Sequence, residues 1–404
     1  MSDQLKRILL FILFIVVAAG IAFALYWFFF RAAPEEVPGV IIGEDGAVVG
    51  LPEAGLGEPT VITPEEEAGG LQVSQIARGG LTTSTALTTG GVDAVSISSD
   101  GSGMNYYDDA DGRFYRVNED GTVTLLSNQS FPQAENVAWA DQGDKAVIEF
   151  PDGSNIVYNF ETETQVTLPS HWEDFDFAPD GDEIIAKSIG IDPSNRWLVI
   201  TSDDGTQTES IAALGNNADK VQVSWSPNDS VVAFSDTGSE QSGFGRKMII
   251  PIGKNEENFK GLVVEGLEFD SIWNPRGDKI LYSVSGSGNN YKPMLWVVDG
   301  SGNDIGDNRR SLGIETWIDK CTFTGNTTVI CAVPQNLPAN SGLQPELAND
   351  TYDYLYEIDI ASGLSTLLAI PDQQQSISNI TLSSDDSTLY YTDRFGVLYM
   401  IKLK

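Results

Sequence analysis

"SIWNPRGDKILYSV", residues 271–284, reads as two short apolar strands joined by a tight turn. The first strand ends on an aromatic, Trp273. Next come residues that suit a turn: Pro275 presets φ, while Asn274, Gly277 and Asp278 tolerate cramped geometry. The second strand, "KILYSV", is apolar again. Arg276-Gly277-Asp278 also spells an adhesion tripeptide, but it sits where Asp180-Gly181-Asp182 and Gln142-Gly143-Asp144 sit in sibling segments. The tripeptide is therefore read as turn geometry.

The siblings run along most of the chain: "VSISSDGSGMNYY" (95–107), "VAWADQGDKAVIEF" (137–150), "FDFAPDGDEIIAKS" (175–188), "VSWSPNDSVVAFSD" (223–236), "CTFTGNTTVICAV" (321–333) and "ITLSSDDSTLYYTD" (380–393). Aligned on the third residue, the anchors are Ile97, Trp139, Phe177, Trp225, Trp273, Phe323 and Leu382, spaced 42, 38, 48, 48, 50 and 59 residues apart. A period in the forties with strand–turn–strand content marks a β-propeller with one four-stranded blade per repeat. Two more strands follow most hairpins, as "SNIVYNF" and "TQVTLP" do in the second copy. A hairpin cannot bury both faces alone, and stacking blade on blade solves that. The expected fold is an all-β, seven-bladed propeller of four-stranded antiparallel blades over 81–404. After "TLYYTD" the seventh copy has only "GVLYMIKLK", so "LTTSTALTTGG" (81–91) is expected to supply the missing outer strand and close the ring.

The W-S-P-D/N-G hairpins at 175–188, 223–236 and 271–284 resemble the WD40-like repeats of TolB-type β-propellers. The resemblance spans roughly residues 92–393, although the first, sixth and seventh copies lack the aromatic or the proline. It implies a rigid toroid used for protein contacts, commonly in the bacterial cell envelope. The motif residues build blades, so no functional site is carried over.

Ahead of the repeats the character changes twice. Residues 8–30, "ILLFILFIVVAAGIAFALYWFFF", carry no charge and would span about 35 Å as a helix, enough for a bilayer core. Lys6 and Arg7 precede the run, placing a cytoplasmic tip at 1–7 and the rest of the chain outside. The run exceeds the apolar core of a cleaved signal peptide, so an uncleaved single-pass anchor is expected. Residues 31–80 hold nine acidic residues against Arg31 and Arg78, with recurrent Pro and Gly. That composition reads as a flexible, self-repelling linker.

Composition excludes several chemistries. With 23 basic and 58 acidic residues the net charge is −35, which repels nucleic acid. His171 is the single histidine and the cysteines are Cys321 and Cys331, so neither a His-based zinc site nor a second His-dependent nucleophile is available. No G-x-S-x-G elbow occurs, and the last blade runs to Lys404, so the α/β-hydrolase that accompanies some propellers is not expected. The acids in "YDDADGRFYRVNEDG" (107–121) miss calcium-loop spacing and read as a turn. We expect no catalytic, cofactor or metal residues. Chemistry by two carboxylates in the channel remains the alternative, as a hydrolase or lyase of the envelope. Cys321 and Cys331 lie on opposite strands of one hairpin, and the spacing fits either a disulfide or two buried thiols.

In a propeller the loops between second and third strands share a face with the inter-blade loops. Here "TGSEQSGFG", "SGSGNNYK", "PQNLPANSGLQPELANDTY", "SNQSFPQA" and "PSHWE" fall there. They place Phe131, His171, Trp172, Phe244, Tyr291 and Tyr352 on one rim, the expected binding face for an envelope protein or a glycan.

Overall fold

The computed structural model describes residues 73–404. The expected cytoplasmic tip, membrane helix and most of the linker lie outside the described residues. Among the described residues no helix is long and apolar enough to cross a membrane.

The chain forms seven antiparallel blades. Their inner strands are Asp93–Ile97, Asn136–Trp139, Trp172–Phe177, Val221–Val223, Leu267–Trp273, Cys321–Phe323 and Ile377–Leu382. Blade five shows the pattern in full: Leu267–Trp273, Lys279–Ser285, Pro293–Asp299 and Arg310–Ser311 pair in that order from the centre outward. The anchors Ile97, Trp139, Phe177, Trp273, Phe323 and Leu382 each end an inner strand, and Trp225 lies just beyond one.

Each second strand is buried over nearly its whole length, as in Lys279–Ser285 and Thr388–Asp393. It lies inside its own sheet and between neighbouring sheets, which explains the unbroken apolar runs "KILYSV" and "TLYYTD". The core is accordingly divided. One cluster joins blades four and five through Phe234, Tyr282 and Val298; another joins blades six and seven through Ile330, Leu355, Leu389 and Tyr391. Each fully buried side chain of this kind contributes roughly 1.5–3 kcal/mol.

Polar latches repeat around the ring on the side of the first hairpin turns. Asn105 Nδ2 donates to Gly143 O (2.9 Å), Lys145 Nζ to Gly181 O (3.0 Å), and Asn228 Nδ2 to Gly277 O (2.7 Å). Each residue therefore grips the turn of the next blade. Gly277 has φ +67°, and a Cβ there would approach Asn228 Cγ to 2.8 Å. Asp278 Oδ1 accepts from Asn274 Nδ2 (2.7 Å). The glycine and the aspartate of the adhesion-like tripeptide are thus committed to the turn and to the neighbouring blade. The repeat tryptophans add a second set of latches: Trp139 Nε1 donates to Ala94 O (2.6 Å), and Trp273 Nε1 to Ser224 Oγ (3.0 Å).

Two short N-terminal strands meet the C-terminal blades. Thr85–Ala86 pairs antiparallel with Tyr399 and Met400 as the outermost strand of blade seven. Gly80–Thr82 runs parallel to the outer strand of blade six, Ser365–Pro371, and makes that blade five-stranded. Ser74 bridges to Thr82, so part of the 31–80 segment is folded against the propeller. Nothing in the Gly-Leu-Thr sequence signalled a parallel strand. Cys321 and Cys331 face each other in the ladder of blade six and form a disulfide, with Cα atoms 4.1 Å apart.

Candidate interaction face

The loops between second and third strands gather on the side opposite the latched hairpin turns. The longest, residues 335–352 of blade six, lies across its neighbours. Asn340 N donates to Asn290 O (2.8 Å) and Gly342 N to Tyr291 O (2.9 Å), both in the blade-five loop. Arg394, in the blade-seven loop, pairs with Asp350 and donates to Asn349 O (3.2 Å). At the base of this strap Asp353 Oδ2 accepts from Lys320 Nζ (2.7 Å) and Ile377 N (2.6 Å), with both side chains of the ion pair almost fully buried. Burial pushes the Asp353 carboxyl up, and Lys320 pulls it back.

The six expected rim residues divide. His171 is exposed and Phe244 is 82% exposed. Tyr291 and Tyr352 are half-buried; Tyr291 sits at φ +54° under the strap, and Tyr352 leans on Tyr354 with centroids 5.7 Å apart. Phe131 and Trp172 do not belong to the rim. Phe131 is 2% exposed, edge-on to Phe114 and Tyr158 in the seam between blades one and two. Trp172 begins an inner strand and is buried against blade two with Phe175 and Leu168. The seams needed large side chains, and these loop aromatics supply them.

Other residues take the exposed positions. Ile191 (101%), Phe395 (67%), Leu347 (46%) and Leu343 (38%) stand with Phe244 on second-to-third-strand loops of blades three, seven, six and four. An apolar residue surrounded by polar turn formers, as in "GIDPSN" and "DRFGV", was the available signal. It is a faint signal, because the loops of blades three and seven are short. Arginines accompany three of the tips: Arg196 donates to Gly190 O (3.0 Å), Arg246 pairs with Glu265 (2.8 Å), and Arg394 lies over the Phe395 ring at 4.6 Å.

Carboxylates crowd the channel mouth on the same side. A hollow of ≈ 320 Å³ is lined by Asn136, Glu149, Asp174, Phe175 and Gln222, among others. Asp174 is pinned by the buried Lys187. Glu149 is held up at about 7 by burial first, then by Asp174, Glu173 and Glu135. Deeper, burial raises Asp176 to about 6 although it accepts from Trp225 N (2.8 Å) and Phe177 N (2.9 Å). Among the described residues no group of His, Cys, Asp and Glu is arranged to hold a metal ion.

No protein-family model matches the chain, and no curated protein matches it in sequence. Solved structures do resemble it. An oligogalacturonate lyase in complex with manganese superposes with a TM-score of 0.55 at 13% identity, over 80% of this chain and 93% of its own. The β-propeller domain of Myceliophteria thermophila Cps50 (Swd1) gives 0.51 at 12% identity, over 80% and 100%. TolB from Acinetobacter baumannii gives 0.44 at 14%, over 67% and 63%, a score that carries no argument by itself. At these identities the likeness is one of fold, and the architecture is the one implied by the hairpins' resemblance to WD40-like, TolB-type repeats.

Proposed function

We propose that the propeller is a non-catalytic interaction module that docks a protein partner on its loop face. In this reading residues 8–30 anchor it in a membrane with the head on the extracytoplasmic side. The observation that carries the proposal is the set of five apolar side chains exposed on four loops of one face. Aromatic and arginine side chains at such positions are the usual anchors of protein interfaces, and Phe244 with Arg246 and Phe395 with Arg394 have that composition. The chain's net charge of −35 disfavours an anionic bilayer as the docking surface. The test is crosslinking and pull-down from native membranes, followed by affinity measurement on the identified partner. Ile191→Ser with Phe244→Ser should weaken binding at least ~10-fold, in keeping with about 1–2 kcal/mol per anchor. Unchanged affinity sinks the proposal.

A second reading has one observation behind it. Glu149, held at about 7 beside Asp174 in a concave hollow, has the protonation expected of a general acid. The similarity in fold to an oligogalacturonate lyase is compatible with this but adds no residue to it. Release of reducing ends from a polysaccharide panel, abolished by Glu149→Gln, would favour an envelope hydrolase or lyase over a docking module.

A further inference from the structure

A different cavity on the loop face, at the seam of blades seven and one, has the chemistry of a saccharide site. It measures ≈ 320 Å³ and is lined by Asp93, Asn349, Ser378, Asn379, Thr392 and Arg394, among others. Clefts that hold small ligands run from about 300 to 1,000 Å³, so this one suits one or two sugar rings. Five of its side chains are planar and polar: two carboxylates, two amides and a guanidinium. Such groups meet the paired hydroxyls of a pyranose with two parallel hydrogen bonds, which isolated hydroxyl or ammonium groups do less well.

Their positions follow from a bulge that also recurs in the inner strands of blades three and five, at Asp174 and Glu268. The inner strands of blades one and seven are each interrupted by a bulge, between Asp93 and Ser96 and between Ser378 and Thr381. Ala94 (φ +48°) and Asn379 (φ +49°) take left-handed conformations inside those bulges. A bulge re-aims the side chains around it, and a non-glycine residue pays for that conformation, so tight local packing must hold it. Asp93 and Asn379 are exposed, on opposite sides of the seam. Asn379 Nδ2 donates to Thr392 Oγ1 (3.2 Å), which fixes the amide. The lip is also fixed: Asp393 Oδ1 accepts from Phe395 N (2.8 Å) and Val397 N (2.9 Å), and the strap joins it through Arg394 and Asn349 O. The Arg394 guanidinium also lies over one face of the exposed Phe395 ring, just outside the lining.

Charge narrows the ligand. Asp93 and Asp393 contribute negative groups to the lining, and the positive charge of Arg394 is already met by Asp350. An acidic sugar would be repelled. We infer that the cavity between blades seven and one binds a neutral saccharide, with Asp93, Asn349 and Asn379 as hydrogen-bonding groups.

The inference does not depend on protein docking at the Ile191 and Phe244 tips, which lie on blades three and four. The experiment titrates the full-length, detergent-solubilised chain with cellotriose, maltotriose and chitotriose by calorimetry, with tri-galacturonate as the anionic comparator. At least one neutral trisaccharide should bind with a Kd on the order of 0.1–1 mM. Asp93→Asn and Asn379→Gly, the latter keeping the left-handed backbone, should each weaken it ~10-fold or more at unchanged melting temperature. Ile191→Ser with Phe244→Ser should leave it unchanged. No neutral binding at about 10 mM, equal binding of tri-galacturonate, or parent-like affinity in both cavity variants would overturn the inference.

Discussion

The two faces of the ring are built by different rules. On the turn face most blades repeat one short grammar, and several of its glycines and asparagines are engaged by the neighbouring blade, as Gly277 is by Asn228. On the loop face the second-to-third-strand connections vary widely, from the short 394–397 to the long 335–352, and Ile191, Phe244 and Phe395 end in solvent. Repetition marks the side that holds the ring together, and irregularity marks the side available to something else. The ring's stability should therefore be sensitive to single atoms on the first face and indifferent on the second.

The largest effect tests the base of the strap, where a buried ion pair fastens the loop face. Asp353→Ala leaves Lys320 buried without its partner and should cost about 3–5 kcal/mol in chemical denaturation. A loss under 1 kcal/mol would mean that the strap rests on the ring without being held by this pair. Next, Gly277→Ala on the turn face meets both a φ of +67° and Asn228 at 2.8 Å, and should cost about 2 kcal/mol or more. Its control is Gly288→Ala in the blade-five loop, where a Cβ meets nothing within 4 Å, expected to stay within ~0.5 kcal/mol. Similar losses at both glycines would remove the contrast.

Third is Glu149. Its folded value of about 7 lies above the 4.5 of the free side chain, so the unfolded chain ionises first. The penalty on the native state grows as pH rises from 4.5 and is complete above 7. Glu149→Gln should stabilise the protein by about 1 kcal/mol at pH 8, allowing for solvent screening, and hardly at all at pH 4. Melting curves across that range decide it; an equal gain at both pH values would trace the effect to packing. The smallest expected effect is that of Ile191→Ser with Phe244→Ser, within ~0.5 kcal/mol of the parent. A large loss of stability there would show that these tips are structural.

The hairpins were legible because their residues answer to local geometry. Pro275 and Gly277 are there for φ, and Trp139, Phe177 and Trp273 end inner strands wherever they occur. The face was legible as a face, since strand alternation alone assigns loops to sides. Its members were not. Phe131 and Phe244 are both loop phenylalanines among polar residues, yet one completes an aromatic seam and the other meets water. That distinction depends on what the neighbouring blade places opposite, and no local pattern records it. The bulge at Ala94 was equally silent, because alanine does not advertise a positive φ.

The strand at Gly80–Thr82 has a mechanical consequence. It lies ahead of Thr85–Ala86 in the chain and is laid along blade six, not along the blade whose sheet the N-terminal segment completes. Any tension entering through Val73 therefore reaches the bridge at Ser74 and this ladder before it reaches the two residue pairs that complete blade seven. The extra strand acts as a strain relief, sharing a tug with the Ala77 N to Lys402 O bond before the two pairs that complete blade seven are loaded.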